Sequence, residues 1–384
     1  MGVAPGRDGP RERGPQGTRS PRARGLMAEA GSRALVTGGA GFIGANLADR
    51  LAAAGHAVTL YDSLQRPGTE RNLAWLLERH PGRIAHIHAD IRDHAVLNEA
   101  AGAADVVFHL AAQVAVTTSL VAPLDDFAIN VAATVHLLEA LRRRDRPVPL
   151  VFASTNKVYG DLGDVELTRT NDAYVPADPR VRDTGIGEDR PLDFHTPYGC
   201  SKGAADQYVL DYARSFGVPA AVLRMSCIYG QRQMGTEDQG WLAHFAIKAL
   251  LGETISIFGD GCQVRDALDV GDACAAYLGL WRNIDRVTGR AFNLGGGPKN
   301  AISLRQLVRH LEEVTGRPVA TEHHDWRAGD QKYYVSDTRA VTEALGLKAP
   351  VPWRTGVANL VAWLAAERGI NLPGAKREGG RTSS

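Results

Sequence analysis

Cysteine is scarce. Only Cys200, Cys227, Cys262 and Cys274 occur in 384 residues, with no CxxC spacing and no histidine at zinc-ligand distance. A disulfide framework and a metal cluster are therefore not expected, and a reducing cytoplasm is the expected setting. Long apolar runs are missing too. No stretch approaches the roughly 18 to 20 residues needed to cross a bilayer, so no membrane association is expected. Nor is there an excess of one charge: 44 Lys plus Arg stand against 43 Asp plus Glu, which removes the pull that nucleic acid exerts on a basic protein. What is present is length, enough for one large α/β unit or two lobes.

The two ends of the chain read differently from the middle. Residues 1–26 hold six Arg (7, 11, 13, 19, 22 and 24) against Asp8 and Glu12, with many Gly and Pro and almost nothing apolar. Such a segment buries no core, so residues 1–31 are expected to form a disordered basic extension, and 373–384 a disordered tail. Met27 opens a second natural start, MAEAGSRALVTGG, and no apolar signal-peptide core follows the arginines.

From Ser32 a short apolar strand (ALVTG) runs into a glycine turn, an amphipathic helix (ANLADRLAAAG) and a second strand (AVTLYD). This is one βαβ unit. Glycines at 38, 41 and 44 give it a mechanical reading: Gly38 permits the tight turn, Gly41 lets the backbone approach a pyrophosphate, and Gly44 lets helix and strand pack closely. Asp62 ends the second strand, where a carboxylate can accept hydrogen bonds from both adenosine ribose hydroxyls. That favours NAD over NADP, whose 2′-phosphate would meet like charge with no Arg at position 63. Further strands follow at 84–89, 105–110 and 150–153, ending in Asp90-Ile91, Ala111-Ala112 and Ser154-Thr155. Alternation of strand and helix predicts a Rossmann-like, doubly wound parallel sheet that binds its ligand beyond the strands' carboxyl ends. Asp90 serves equally well as an N-cap for a helix over 93–101.

Tyr198-Gly199-Cys200-Ser201-Lys202 places a phenol and an ammonium four residues apart, hence on one helix face. A nearby Lys and a nicotinamidium cation both favour the phenolate, which can then remove a hydroxyl proton. Thr155, at the end of the fifth strand, is available to hydrogen-bond the same hydroxyl.

With TGGAGFIG (37–44), Asp62, HLAA (109–112), Asn130 and YxxxK in place, the chain resembles the extended short-chain dehydrogenase/reductase family over residues 33–370. Within it the stretches AQVAVTTS (112–119), STNKVYGD (154–161), LDFHTPYGCSKGAADQYVLDYAR (192–214), DQGW (238–241) and QVRD (263–266) resemble the nucleotide-sugar epimerases, nearest those that invert C2 of a CDP-linked sugar. At 224–230 the chain reads RMSCIYG where that group reads RHSSMYG. The resemblance implies Thr155, Tyr198 and Lys202 as catalytic residues. It implies NAD held by Gly38, Gly41, Phe42, Ile43, Gly44, Asp62, Asp90, Ile91, Leu110, Ala111, Ala112, Asn130, Tyr198 and Lys202. A nucleotide-sugar substrate, CDP-linked by preference, would meet Thr117, Asn156, Lys157, Arg265 and Arg327. A homodimer or homotetramer is also implied.

The reaction so implied oxidises a carbinol carbon and reduces it again from the other face. A 4,6-dehydratase shares the fold and YxxxK, but its Thr is followed by Asp-Glu where this chain has Asn156-Lys157. A 4-epimerase shares the core machinery, since only the sugar pose selects the carbon. A cofactor-binding scaffold without catalysis would lack Tyr198 or Lys202. Residues 32–215 are expected to form the cofactor domain, and 216–372 to complete it and add a smaller carboxyl-terminal substrate lobe. The long, Asp- and Pro-rich segment 160–197 is expected to cover the pocket or to move as a lid, the first being favoured.

Overall fold

A computed structural model of the chain describes residues 1–2, 31–327 and 329–372. Of the expected basic extension only residues 1, 2 and 31 are described; the rest of it and the expected tail, 373–384, lie outside the described residues. Seven strands form the central sheet, numbered here in chain order: β1 (Arg33–Thr37), β2 (Ala57–Tyr61), β3 (Ile84–Ile87), β4 (Val106–His109), β5 (Leu150–Thr155), β6 (Ala220–Met225) and β7 (Ala291–Leu294). Every residue of β4 and β5 is buried, as expected of strands covered on both faces, and this is why they read as apolar runs. All pairings are parallel and the spatial order is β7-β6-β5-β4-β1-β2-β3.

One face of the sheet packs against helices Phe42–Ala53, Thr69–Arg79 and Val270–Arg282, through a core that includes Leu47, Leu51, Leu76, Tyr277 and Trp281. The other face packs against His94–Ala103, Ala133–Arg142 and Thr196–Phe216, with Leu97, Leu137, Leu141 and Val209 in the core. Covering both faces of a parallel sheet with crossover helices is the doubly wound arrangement. The chain leaves β1 outward through β2 and β3, then returns to β4 on the other side. Thr37 stands opposite both Tyr61 and His109 in register, so Gly38, Asp62 and Leu110 emerge on one rim of the crevice where the direction reverses.

Beyond β6 the chain alternates between sheet and lobe. Val264–Asp269 pairs with Cys227–Tyr229, Ala301–Ser303 and Tyr333–Tyr334, while Ile255–Phe258 pairs with Thr321–His324. Helices Trp241–Leu251, Leu304–Thr315 and Trp353–Glu367 close a separate apolar core.

The segment 160–197 folds away from the crevice. It forms a hairpin of Leu167–Arg169 with Tyr174–Pro176 and a short helix, Pro179–Thr184. Its Leu162 and Ile186 pack with Val158, Tyr159 and Tyr334, and Ile186 N–H donates to the Val335 carbonyl at 2.7 Å. The segment thus braces the carboxyl-terminal lobe. None of the segment's residues lines the crevice, whereas Ser63, Gln65–Thr69, Arg232–Met234 and Gln239–Leu242 do.

Candidate active site

A cavity of about 470 Å³ lies beyond the carboxyl ends of β1, β2, β4, β5 and β6. At one end the glycine turn leads into helix Phe42–Ala53. Gly38 has φ +67°, and a Cβ on it would stand 2.8 Å from the Ala111 nitrogen; one on Gly44 would stand 2.2 Å from the Gly38 carbonyl oxygen. Only glycine permits strand and helix to meet this closely. No side chain caps the helix and no acid sits in its first turn, so the backbone N–H groups of that turn face the cavity as an anion cradle. Asp62 lines the cavity at the end of β2. One of its carboxylate oxygens accepts from Ala40 N–H at 3.0 Å and the other from Leu64 N–H at 2.9 Å, which leaves lone pairs on both for ribose hydroxyls. Open cradle, Cβ-free turn and carboxylate rim together fit a dinucleotide.

Asp90 is engaged by its neighbour. Arg92 donates to it from Nε and Nη2 at 2.9 and 2.8 Å and holds its carboxyl below the usual range. The N-cap of helix His94–Ala103 is Asp93, which accepts from Val96 N–H, so the capping role considered for Asp90 belongs to the residue three places on. Ile91, Leu110, Ala111 and Ala112 line the cavity with Phe42 and Ile43.

At the other end stand Thr155, Tyr198 and Lys202, all buried. In register Thr155 lies opposite Met225, which brings β5 and β6 to the same rim. Helix Thr196–Phe216 is fastened to this rim by a buried ion pair: Arg224 on β6 donates to Asp206 at 2.9 and 3.0 Å, and Ser154 donates to the same carboxylate at 2.7 Å. The helix begins under strain, since Thr196 holds φ +63° immediately before Pro197. Burial pushes the Tyr198 phenol up to about 12, outweighing the hydrogen bond with Thr155 and the positive field of Arg66, both of which act downward. The expectation that Lys202 favours the phenolate differs from what the structure shows. Lys202 Nζ donates to the Ala153 carbonyl at 2.6 Å and lies 4.3 Å from the Phe152 ring centroid. Burial lowers the ammonium to about 8. Both groups lose water before any ligand arrives, and burial is the largest influence on each.

Beside Thr155 the turn Asn156–Tyr159 is tied to the carboxyl-terminal lobe. Asn156 donates to Gln331 at 3.2 Å, Lys157 donates to the Gly329 carbonyl at 3.0 Å, and Arg265 donates to Asp330 at 2.7 Å. Burial, then the Arg265 charge, lowers Lys157 to about 8. Asn156, Lys157 and Arg265 line the cavity; Thr117, Asn130 and Arg327 do not. Thr117 is exposed on helix Val116–Val121. Asn130, 1% exposed, is spent inside the protein on Gln113, Asp126 and Ser201. Arg327 pairs with Glu237 at 2.7 Å and lies over the Phe258 ring.

Residues outside the quoted motifs also line the cavity, among them Arg66, Gln233 and Met234. Of the quoted stretches, DQGW contributes Gln239, Gly240 and Trp241, and RMSCIYG contributes Cys227.

Residues 34–295 match the NAD dependent epimerase/dehydratase family. The chain is 39% identical over 339 residues to CDP-paratose 2-epimerase of Salmonella typhi, covering 86% of this chain and 99% of that protein. UDP-glucose 4-epimerase of Thermus thermophilus, solved in complex with NAD, shares the fold at TM-score 0.72 and 27% identity, over 86% of this chain and 98% of that one. dTDP-glucose 4,6-dehydratase of Streptomyces venezuelae, solved with NAD bound, does so at TM-score 0.74 and 27% identity, over 88% and 98%.

Proposed function

The chain belongs to the NAD dependent epimerase/dehydratase family, and from that premise we propose that it inverts C2 of a CDP-linked sugar, in the manner of CDP-paratose 2-epimerase, also called CDP-tyvelose epimerase. The cofactor is NAD, which when bound accepts a hydride from the sugar carbon and returns it to the opposite face. The turn Gly38–Gly44 would hold its diphosphate and Asp62 its adenosine ribose. Ile91 and Leu110–Ala112 would wall its middle, and Lys202 would reach its second ribose.

The chain's own part is proton handling and grip. Tyr198 takes the proton of the sugar hydroxyl, oriented by Thr155, as the carbon is oxidised to a ketone, and gives it back on reduction. Asn156 and Lys157 would orient the sugar, while Arg265 would anchor the nucleotide diphosphate so that the sugar alone can turn.

The observation that carries an epimerase over a dehydratase is the distribution of acid. Among the described residues that line the cavity, the only carboxylates are Asp62 and Asp90. They stand at the ends of β2 and β3, three and four strands from Thr155 in the sheet order, or roughly 14 to 19 Å at the usual strand spacing. Neither can expel water from a sugar held at Tyr198. The CDP-linked, C2 reading is supported by the 39% identity to CDP-paratose 2-epimerase. Incubation with CDP-paratose, CDP-glucose and a set of UDP- and dTDP-sugars, followed by NMR of the H1–H2 coupling, tests it. Inversion at C2 of a CDP-sugar is expected; inversion at C4 of a UDP-sugar with both CDP-sugars untouched would replace it with a 4-epimerase. We further propose a homodimer through the exposed apolar side chains of Leu120, Val121, Leu124 and Phe127.

A further inference from the structure

Asp126 lies outside the cavity and has no part in the proton handling described above, yet it is 1% exposed. A carboxylate so deep is costly unless it is paired or fully hydrogen-bonded. One oxygen accepts from Gln113 Nε2 at 2.8 Å and from Asn130 Nδ2 at 3.2 Å. The other, Oδ2, is buried without a partner of good hydrogen-bond geometry. Asn130 also donates to Ser201 Oγ at 3.0 Å, and Ser201 donates to the Tyr198 carbonyl at 3.2 Å. Asp126 is thereby fastened to the helix turn that carries Tyr198 and Lys202.

An amide at this position would serve that seam as well, because its carbonyl could accept both hydrogen bonds. The carboxylate's cost therefore calls for a use of its charge. The charged groups acting on the pair come from several elements. Asp206 and Asp126 both attract the Lys202 ammonium, while His109 on β4 is kept neutral by burial between Thr37 and Thr134. Arg66, from the loop after β2, and Asp126 act on Tyr198 with opposite sign. Of the two acids near Lys202, Asp206 is committed to Arg224 and Ser154. Asp125, next in sequence, turns outward to Arg92. Of these three acids Asp126 alone has an oxygen without a partner of good hydrogen-bond geometry; burial raises its own carboxyl above the ordinary value, against the lowering influence of Ser201, Gln113 and the Lys202 charge.

We propose that Asp126 is the buried counter-charge of the Tyr198–Lys202 pair, a positioning residue that keeps the Lys202 ammonium protonated at the reacting end of the cavity. The inference rests on the reading of Tyr198 and Lys202 as the reacting pair, but its test needs no substrate. The chain has only seven lysines, so the full-length protein labelled with [¹³Cε]lysine gives a resolvable titration, with the Lys202 signal assigned through Lys202→Arg. Asp126→Asn removes the charge and keeps the seam; the Lys202 signal should then titrate about 0.5 to 1 pH unit lower. Asp126→Ser, a smaller neutral residue, should shift it the same way and serves if the Asn variant does not fold. Ser201→Ala breaks the seam and keeps the charge, so it should leave the titration in place. An unmoved Lys202 signal in the neutral variants, or an equal shift in Ser201→Ala, would overturn the proposal. Because the readout is independent of turnover, failure of every sugar in the NMR panel would count against the function alone.

Discussion

At the scale of single residues, the proposed chemistry depends on two groups, Tyr198 and Lys202, whose ordinary titration burial has moved in opposite directions. Tyr198, pushed up to about 12, is a phenol at neutral pH and needs help from the bound cofactor and its neighbours to act as a base. Tyr198→Phe should lower turnover by roughly 10²- to 10⁴-fold while cofactor binding, followed by fluorescence quenching, stays near wild type. Retained turnover would move the proton to another group. Lys202 has the opposite problem. Its pKa falls from 10.5 to about 8 on folding, so between those values the unfolded chain holds more protons, and this residue's contribution to stability rises with pH. Lys202→Met should therefore stabilise the cofactor-free protein more at pH 7 than at pH 10 in urea titrations. An equal gain at both would mean that the ammonium is better solvated than its burial implies.

At the scale of elements, legibility followed the range of the interactions. The first five strands and the glycine helix were readable because each is a continuous apolar run or an amphipathic repeat bounded by glycine or a polar strand end. The segment 160–197 was opaque because its strands are three residues long and its partners come from far down the chain: Ile186 bridges Ser336, and Tyr174 N–H donates to the Cys262 carbonyl. The loop 231–237, ahead of DQGW, carried no pattern either. It is held by side chains that bond its backbone, Asn46 to the Gln231 carbonyl at 3.0 Å and Asn72 to the Arg232 carbonyl at 3.2 Å, contacts that no local sequence encodes. Of the candidate site, residues at strand ends were legible, because the sheet itself delivers them to one rim. The roles suggested for Thr117, Asn130 and Arg327 came from resemblance, and these three stand outside the cavity. The pair that joins β6 to the Tyr198 helix is an element-scale dependence: Asp206→Ala would strand Arg224, 5% exposed, and should cost about 3 to 5 kcal/mol in urea unfolding. A loss below about 1 kcal/mol would show that water reaches the site.

At the scale of the whole molecule, the fold separates two tasks. The central sheet presents the proposed cofactor cradle, and residues beyond β6 supply Arg265 and the Gly329–Gln331 stretch, which bonds the turn after Thr155 through Asn156 and Lys157. No described helix is long and apolar enough to cross a membrane. The exposed Leu120, Val121, Leu124 and Phe127 belong to two short helices packed on the Thr196–Phe216 helix, so an association there would also brace Tyr198. Leu124→Arg should convert a dimer to a monomer in sedimentation velocity, and a wild-type protein that sediments as a monomer would remove the proposed interface.

The central claim is that one carbon is oxidised and then reduced again with its own hydrogen, inside a site that never releases its cofactor. The most direct measurement uses CDP-paratose carrying deuterium at C2, turned over in ordinary water and followed by ²H NMR and mass spectrometry. The account predicts that the epimerised sugar keeps its deuterium at C2. Loss of the label to solvent during inversion would mean that the carbon is deprotonated rather than oxidised, and would contradict it.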